Sequence, residues 1–440
     1  MNRRHFLVAA GAASLASSGM VFPAESQTGP VRDKPLRPGF WGPEFYDEKE
    51  LRELEDVHRR GAPFRWYGPG SQPPPKVATF EKEFAARMQT RFAVAVTSGT
   101  AALETALAAL GVGPGDEVIL PAWTWHSCFN AIVMAGALPV FAEIDESFNL
   151  DPADLETKIT PQTKVILAAH LQGNPCDMDW IMDIATRHRL KVLEDCAQSV
   201  GASYKGKPLG SMGHIGIYSL QLNKTITAGE GGAVVTSDPA LFERAARFHD
   251  LGMLRSFHQE WLGQTGGEGF VAPHCRMDEF RGGVLLAQLR KIDTIVEAVR
   301  SRARQVYRGI AGLPGLHLRH LPDPAGEIGT AVFLGFKTKE LRDRYMTEMS
   351  RQNVPAGPPA GSAILPIYPQ IEKKLTVHPA WPSFLTERGK SIRYGAGCCP
   401  KTLDILNRFA GVSLDPKYTA KDIEDIIAAI RKVFPGVVKG

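Results

Sequence analysis

The chain has 440 residues, 44% hydrophobic and 22% charged, with a formal net charge of +4. That length supports two domains around a sizeable core, and the ordinary composition excludes a disordered or fibrous chain. The small basic excess is dispersed: Arg59-Arg60 and Arg300-Ser-Arg-Ala-Arg304 read as solvated helix faces, so nucleic acid is not an expected partner.

At the start, Met1-Asn-Arg-Arg-His-Phe-Leu7 leads into Val8-Ala-Ala-Gly-Ala-Ala-Ser-Leu-Ala16, an uncharged run of small residues. Paired arginines before Phe6-Leu7 and a modest apolar stretch form the pattern of a twin-arginine export signal. Residues 1–26 are therefore expected to be a signal segment, with Ala16 and Ala24 both suited to the cut. The expected location is periplasmic or exported, and cytoplasmic if the signal is vestigial. After residue 24 no apolar stretch is long enough to span a bilayer, so no stable membrane association is expected.

Residues 25–75 are rich in Pro, Gly and aromatics, with one helical stretch at 47–60, and should wrap the body. Strands are then expected at 92–96, 118–120, 139–144, 165–170, 191–193, 215–220 and 233–236, with helices between most of them. That alternation predicts an α/β fold with one mostly parallel, seven-stranded sheet covered by helices. A long helical pattern at 285–310 should link this large domain, 27–295, to a smaller C-terminal α+β domain, 296–440. Gly312 and the Pro-rich 355–369 interrupt the second domain, and apolar residues at helical spacing make 420–433 its closing helix.

The cysteines Cys128, Cys176, Cys196, Cys275, Cys398 and Cys399 lack metal-ligand spacing, and Cys398 and Cys399 are adjacent. No metal and no disulfide is expected from them, and Cys196 reads as a small core residue. Four other features carry chemistry. Thr97-Ser98-Gly99-Thr100 lies between the strand at 92–96 and a helix at 101–110, a general phosphate cradle in which free N–H groups and the helix dipole face an anion. Trp125, after the strand at 118–120, could stack on a flat heteroaromatic ring or sit in the core. Asp195 follows a buried strand, where open α/β sheets place functional groups, although a turn or N-cap carboxylate would look the same. Last, Gly216-Ile-Tyr-Ser-Leu-Gln-Leu-Asn-Lys-Thr-Ile-Thr-Ala-Gly-Glu-Gly-Gly232 sets Ser219 and Lys224 before a glycine cluster that permits a sharp turn. Taken alone, Lys224 is an ordinary surface lysine.

In this order, Ser-Gly-Thr before a helix, Thr-Trp, Glu-Asp-x-Ala-Gln, then Ser-x-x-x-x-Lys and Gly-Glu-Gly-Gly resemble the DegT/StrS-type sugar aminotransferases. These are fold-type-I enzymes dependent on pyridoxal 5'-phosphate. The resemblance runs from about residue 39 to the C-terminus and includes Phe80-Glu-Lys-Glu-Phe84, Gly136-Ala-Leu-Pro-Val140 and Cys399-Pro400. Residues 210–232 look most like the branch holding scyllo-inosose aminotransferases and aminohydroxybenzoate synthase.

The resemblance implies a set of roles. Lys224 is the Schiff-base lysine and proton carrier, Asp195 pairs with the pyridine nitrogen, and Gln198 meets the ring oxygen. Trp125 stacks on the ring, while Ser98, Gly99, Thr100 and Ser219 hold the phosphate. It also implies a homodimer, a glutamate or glutamine donor, and a keto-sugar or keto-cyclitol acceptor. Relatives that deoxygenate sugars carry histidine where this chain has Lys224. One departure stands out: the family's Asn-aromatic-Arg-Met run, whose asparagine reaches the neighbouring subunit's phosphate, reads His274-Cys275-Arg276-Met277 here. His274 is either a substitute donor or a polar loop residue. A lyase or dehydratase on the same fold, and a cofactor-binding sensor without turnover, are the rival readings.

Overall fold

Seven short runs of buried residues assemble into one sheet: β1 (Phe92–Val96), β2 (Glu117–Pro121), β3 (Leu138–Ala142), β4 (Thr163–Ala169), β5 (Lys191–Asp195), β6 (Ile215–Ser219) and β7 (Gly232–Thr236). Their spatial order is β1-β7-β6-β5-β4-β2-β3. Neighbours pair in parallel from β6 through β3, and only β7 runs against its two neighbours. The computed structural model describes residues 29–37, 44–69 and 73–439. The segment expected to carry the export signal lies outside them.

The strands are near-continuous apolar runs because both faces of the sheet are covered. In β1 the period-two alternation is visible: Phe92, Val94 and Val96 enter one core, Ala93 and Ala95 the other. The first core includes Ala102 and Leu107 of the helix Gly99–Ala109 and Ile132 of the helix His126–Met134. The second takes Val77, Phe80 and Phe84 of the helix Lys76–Arg87 with Ile181 and Ile184 of the helix Met178–His188. The helix Glu48–Arg60 begins at Asp47, whose carboxylate and that of Glu50 form a reciprocal capping box.

The long helix expected at 285–310 is two helices, Glu279–Leu289 and Ile292–Ile310. Its apolar face continues unbroken through Leu285, Leu289, Ile292 and Ile295, so the periodicity carries no sign of the break. At the junction, buried Lys291 donates to both carboxylate oxygens of Glu50 and to the Phe45 carbonyl. The second helix is shared between cores: Ile292, Ile295 and Val296 pack beneath the large sheet, while Val299, Val306 and Ile310 enter a third cluster. That cluster is built on β8 (Ala331–Gly335), antiparallel to β9 (Phe409–Ser413), and on the helices Lys339–Arg351 and Ala420–Val438. The closing helix runs past 433 and through Pro435, held by the burial of Phe434 and Val437. The start of the described chain joins this C-terminal unit and does not wrap the large one. Leu36 donates its N–H to the Asn353 carbonyl, and Arg32 pairs with Asp422 and Asp425.

All six cysteines are free thiols. No helix among the described residues is long and apolar enough to cross a membrane.

Candidate active site

The carboxyl ends of β1, β2, β4, β5 and β6 open into one cavity of about 470 Å³. Open α/β sheets bind their ligands at this edge, because the strand ends and following helix N-termini converge there. Its wall includes Ser98, Gly99, Thr100, Trp125, Asp195, Gln198, Ser219 and Lys224, so eight of the nine site residues expected from sequence meet in one place.

After β1 the chain turns into the helix Gly99–Ala109. Ser98 Oγ caps that helix by accepting the Ala101 N–H at 3.1 Å, so its hydroxyl serves the turn itself. The N–H groups of Gly99 and Thr100 precede the first intrahelical bond and face the open end of the helix. Thr100 Oγ1 shares a 2.7 Å hydrogen bond with Ser127 Oγ, which adds a second hydroxyl to the cradle. Ser219, the last residue of β6, presses against this turn: a Cβ on Gly99 would stand 2.6 Å from Ser219 Cβ. A Cβ on Gly232 would stand 2.3 Å from the Ser98 carbonyl oxygen. Both glycines are thus required by close approach of β6 and β7 to the helix end.

Asp195 ends β5 with its carboxylate held from two sides. Oδ1 accepts the Ala197 N–H at 2.9 Å, and Oδ2 accepts the Cys128 thiol at 3.0 Å. Burial, reinforced by the Asp195 charge, pushes the Cys128 thiol well above its ordinary range, so it remains a donor. Lys224 sits in the loop after β6, its N–H donating to the Gln221 carbonyl at 2.9 Å. Burial lowers the pKa of its amine, opposed by the charges of Asp195 and Glu230. It is therefore unprotonated, and free to accept a proton, at a lower pH than a surface lysine.

Trp125 is 38% exposed, with its indole on the cavity wall and outside the core. Gln198 also lines the cavity, but its Nε2 donates at 3.0 Å to the Gly361 carbonyl and to Ser362 Oγ, while Oε1 accepts the Gln172 N–H at 3.1 Å. A contact to a ring oxygen would replace one of these bonds. His274 is exposed, bridges to Asp250, and does not line this cavity.

Sequence reasoning missed Cys128 as a partner of Asp195, Ser127 beside Thr100, and the wall at 360–362. That wall reads only as Pro- and Gly-rich loop. Here it is fastened over the site by the pairing of Ala363 with Thr124 and by Gln172 and Gln198. Next to the cavity, His170, Glu194 and Cys196 are buried residues of metal-ligating type, yet Glu194 already accepts from His170 and from the N–H groups of Gly210, Met212 and Gly213. With its oxygens so engaged, the cluster reads as a structural support of β5.

The donor set fits pyridoxal phosphate. A buried amine stands in the same cavity as a fixed carboxylate, a helix-end anion cradle that a single Cβ would fill, and a flat indole. Gly99→Ala should therefore weaken pyridoxal phosphate binding about tenfold or more by forcing Ser219 away from the cradle. Fluorescence titration of the apoprotein measures this, and unchanged affinity would remove the cradle from the site.

Comparison with known proteins agrees. Residues 48–379 match the model of the DegT/DnrJ/EryC1/StrS aminotransferase family. The chain is 34% identical over 326 residues to a GDP-perosamine synthase of Vibrio cholerae, covering 73% of this chain and 86% of that protein. It is 39% identical over 282 residues to the dTDP-3-amino-3,4,6-trideoxy-alpha-D-glucose transaminase of Streptomyces venezuelae, covering 64% of this chain and 71% of that one. Among solved structures, 3-amino-5-hydroxybenzoic acid synthase superposes with a TM-score of 0.71 at 27% identity, covering 91% of this chain and 99% of its own. This last likeness meets the branch that residues 210–232 pointed to. The chain belongs to the DegT/DnrJ/EryC1/StrS family and is a fold-type-I, pyridoxal-phosphate-dependent aminotransferase.

Proposed function

We propose that the enzyme moves an amino group from glutamate or glutamine to a keto-sugar or keto-cyclitol. The observation that carries the reading is the meeting of Lys224, Asp195 and the Gly99-Thr100-Ser219 cradle in one cavity. The curated relatives named above act on sugars, which supports the acceptor class. When bound, pyridoxal phosphate supplies a carbonyl that takes up the amine and a ring that stores the electrons of the broken C–H bond. Everything else falls to the chain. Gly99, Thr100 and Ser219 would hold the phosphate, and Trp125 would offer its indole to the ring. Asp195, fixed by Cys128 and Ala197, would pair with the ring nitrogen, and a carboxylate there favours the protonated ring. The Lys224 amine, which burial keeps unprotonated to lower pH than solvent would, would accept a proton from the donor's α-carbon and return it. A screen of keto-sugars and keto-cyclitols with each donor, read by mass spectrometry of the aminated product, tests the reading. Failure of every polyhydroxylated ketone would refute the acceptor class.

The active unit in this proposal is a homodimer, with His274 and Arg276 in the segment offered to the partner's site. A monomer of full activity in sedimentation would refute it. Export is proposed on Arg3 and Arg4. Replacing both with lysine should hold the protein in the cytoplasm, folded and active. Fractionation and N-terminal sequencing read the result, and wild-type protein that stays cytoplasmic with an intact N-terminus sinks the signal. In a periplasmic enzyme a free keto-sugar or keto-cyclitol is the acceptor; a cytoplasmic one favours a nucleotide-linked sugar.

A further inference from the structure

Gln172 stands out on the cavity wall. It adopts the left-handed conformation, φ 58° and ψ 42°, and is followed by Gly173 at φ 78°. A non-glycine residue is strained there and persists only where its surroundings over-determine it. The surroundings do so. Gln172 N–H donates to Gln198 Oε1, Gly173 N–H donates to the Gln198 carbonyl and to Ser199 Oγ, and Thr330 Oγ1 donates to the Gln172 carbonyl at 3.3 Å.

The side chain is 5% exposed. Its Nε2 donates to the Ala360 carbonyl, which fixes the orientation of the amide. Oε1 is consequently turned away from Ala360, and it has no hydrogen-bond partner among the described residues. A second such atom belongs to a residue of the same cavity wall: Ser413 Oγ, at the end of β9, also buried and without a partner among the described residues. Thr330 links the two positions, since its carbonyl accepts the Leu414 N–H at 2.8 Å while its hydroxyl reaches Gln172. Buried polar atoms are normally satisfied, because an unsatisfied one has lost its water with nothing in exchange. Two on residues of one cavity wall, contributed by different structural units, point to a shared polar ligand there.

Their chemistry selects that ligand. An amide carbonyl only accepts, so Oε1 needs an O–H or N–H donor, and a serine hydroxyl can serve as donor or acceptor. Among the described residues the basic side chains on the cavity wall are Lys224 and His170, of which His170 is already paired with buried Glu194, and no arginine stands there. This wall therefore suits an uncharged hydroxylated ring better than a second carboxylate. We infer that Gln172 Oε1 and Ser413 Oγ read hydroxyl groups of the amino acceptor and so determine its specificity. The inference rests on the proposed keto-sugar or keto-cyclitol acceptor and assigns residues to its recognition.

The test uses Gln172→Met, which keeps length and removes the amide, and Ser413→Ala, which leaves the Ala360 tether intact. In steady-state assays each should raise the acceptor KM tenfold or more while the donor KM moves less than threefold. Wild-type enzyme should reject an acceptor lacking the recognised hydroxyl about a hundredfold, and the variants should lose most of that discrimination. Apart from turnover, calorimetry of the holoenzyme with scyllo-inositol and with dTDP-glucose should show binding of at least one to wild type, weakened tenfold or more in both variants. Equal loss for donor and acceptor would mean a structural role and overturn the inference, as would unchanged acceptor KM or binding of neither probe. If wild type processes the donor but takes no polyhydroxylated ketone, the acceptor class itself has failed and the inference falls with it.

Discussion

Lys224→Ala should lower transamination by about a thousandfold or more while the protein still folds. The amine is the one basic nitrogen among the described side chains of the cavity wall that combines charge, reach and a lowered pKa, and a positioned general base contributes about 10²–10⁴-fold. Borohydride treatment of wild type followed by peptide mapping should find the reduced cofactor on Lys224, and capture on any other lysine would displace the assignment. The variant also has a thermodynamic signature. Because burial lowers the Lys224 pKa, the unfolded apoprotein holds more protons at this residue between the folded and unfolded values, and stability rises with pH across that window. Below it, the folded state carries the full cost of the buried charge. Removing the amine should accordingly leave the apoprotein at neutral pH no less stable than wild type in thermal melts. A marked fall in Tm would mean that Lys224 holds the fold together, and the activity loss could not then be assigned to chemistry. Lys224→Arg retains charge but not basicity near neutral pH, so it should be as inactive as the alanine variant.

The second large effect is expected at Asp195. Asp195→Ala should cut the rate of donor deamination by about 10²–10³-fold, the usual cost of deleting one preorganised electrostatic partner. Cofactor affinity should fall much less, about tenfold or under, because the Gly99, Thr100 and Ser219 contacts do not pass through β5. Stopped-flow absorbance of the donor half-reaction gives the first quantity and equilibrium titration the second. Near wild-type deamination would remove Asp195 from the mechanism. Cys128 sharpens the test. Its thiol donates to Asp195 Oδ2, and replacement by alanine removes one anchor while leaving the charge. Cys128→Ala should therefore cost far less than Asp195→Ala, about tenfold or under, and should have little further effect in the Asp195→Ala background. Fully additive losses would show that the thiol acts on something other than the carboxylate.

Much of this enzyme was legible in the chain before any coordinates. The seven strands, their phase and the helix after Ser98 follow from apolar runs, alternation and capping residues, which are local properties. Gly99, Trp125, Asp195, Gln198, Ser219 and Lys224, which the family resemblance picked out, come to one cavity because they follow strand ends and parallel strands deliver their carboxyl ends to one edge. What lay beyond sequence was partnership across the fold. Cys128 meets Asp195 only because the helix His126–Met134 passes over the end of β5, a contact spanning 67 residues that no periodicity encodes. The loop at 360–362 became a wall of the site through hydrogen bonds to Gln172 and Gln198, residues nearly two hundred positions away by the larger separation of 188. The break before Ile292 followed the same logic: its apolar stripe is continuous, and Lys291 stops there in company with Glu50 from a distant helix. Local patterns fix which face of an element is buried. Which other element it meets depends on sheet order and chain path, and these are set by the packing of the whole.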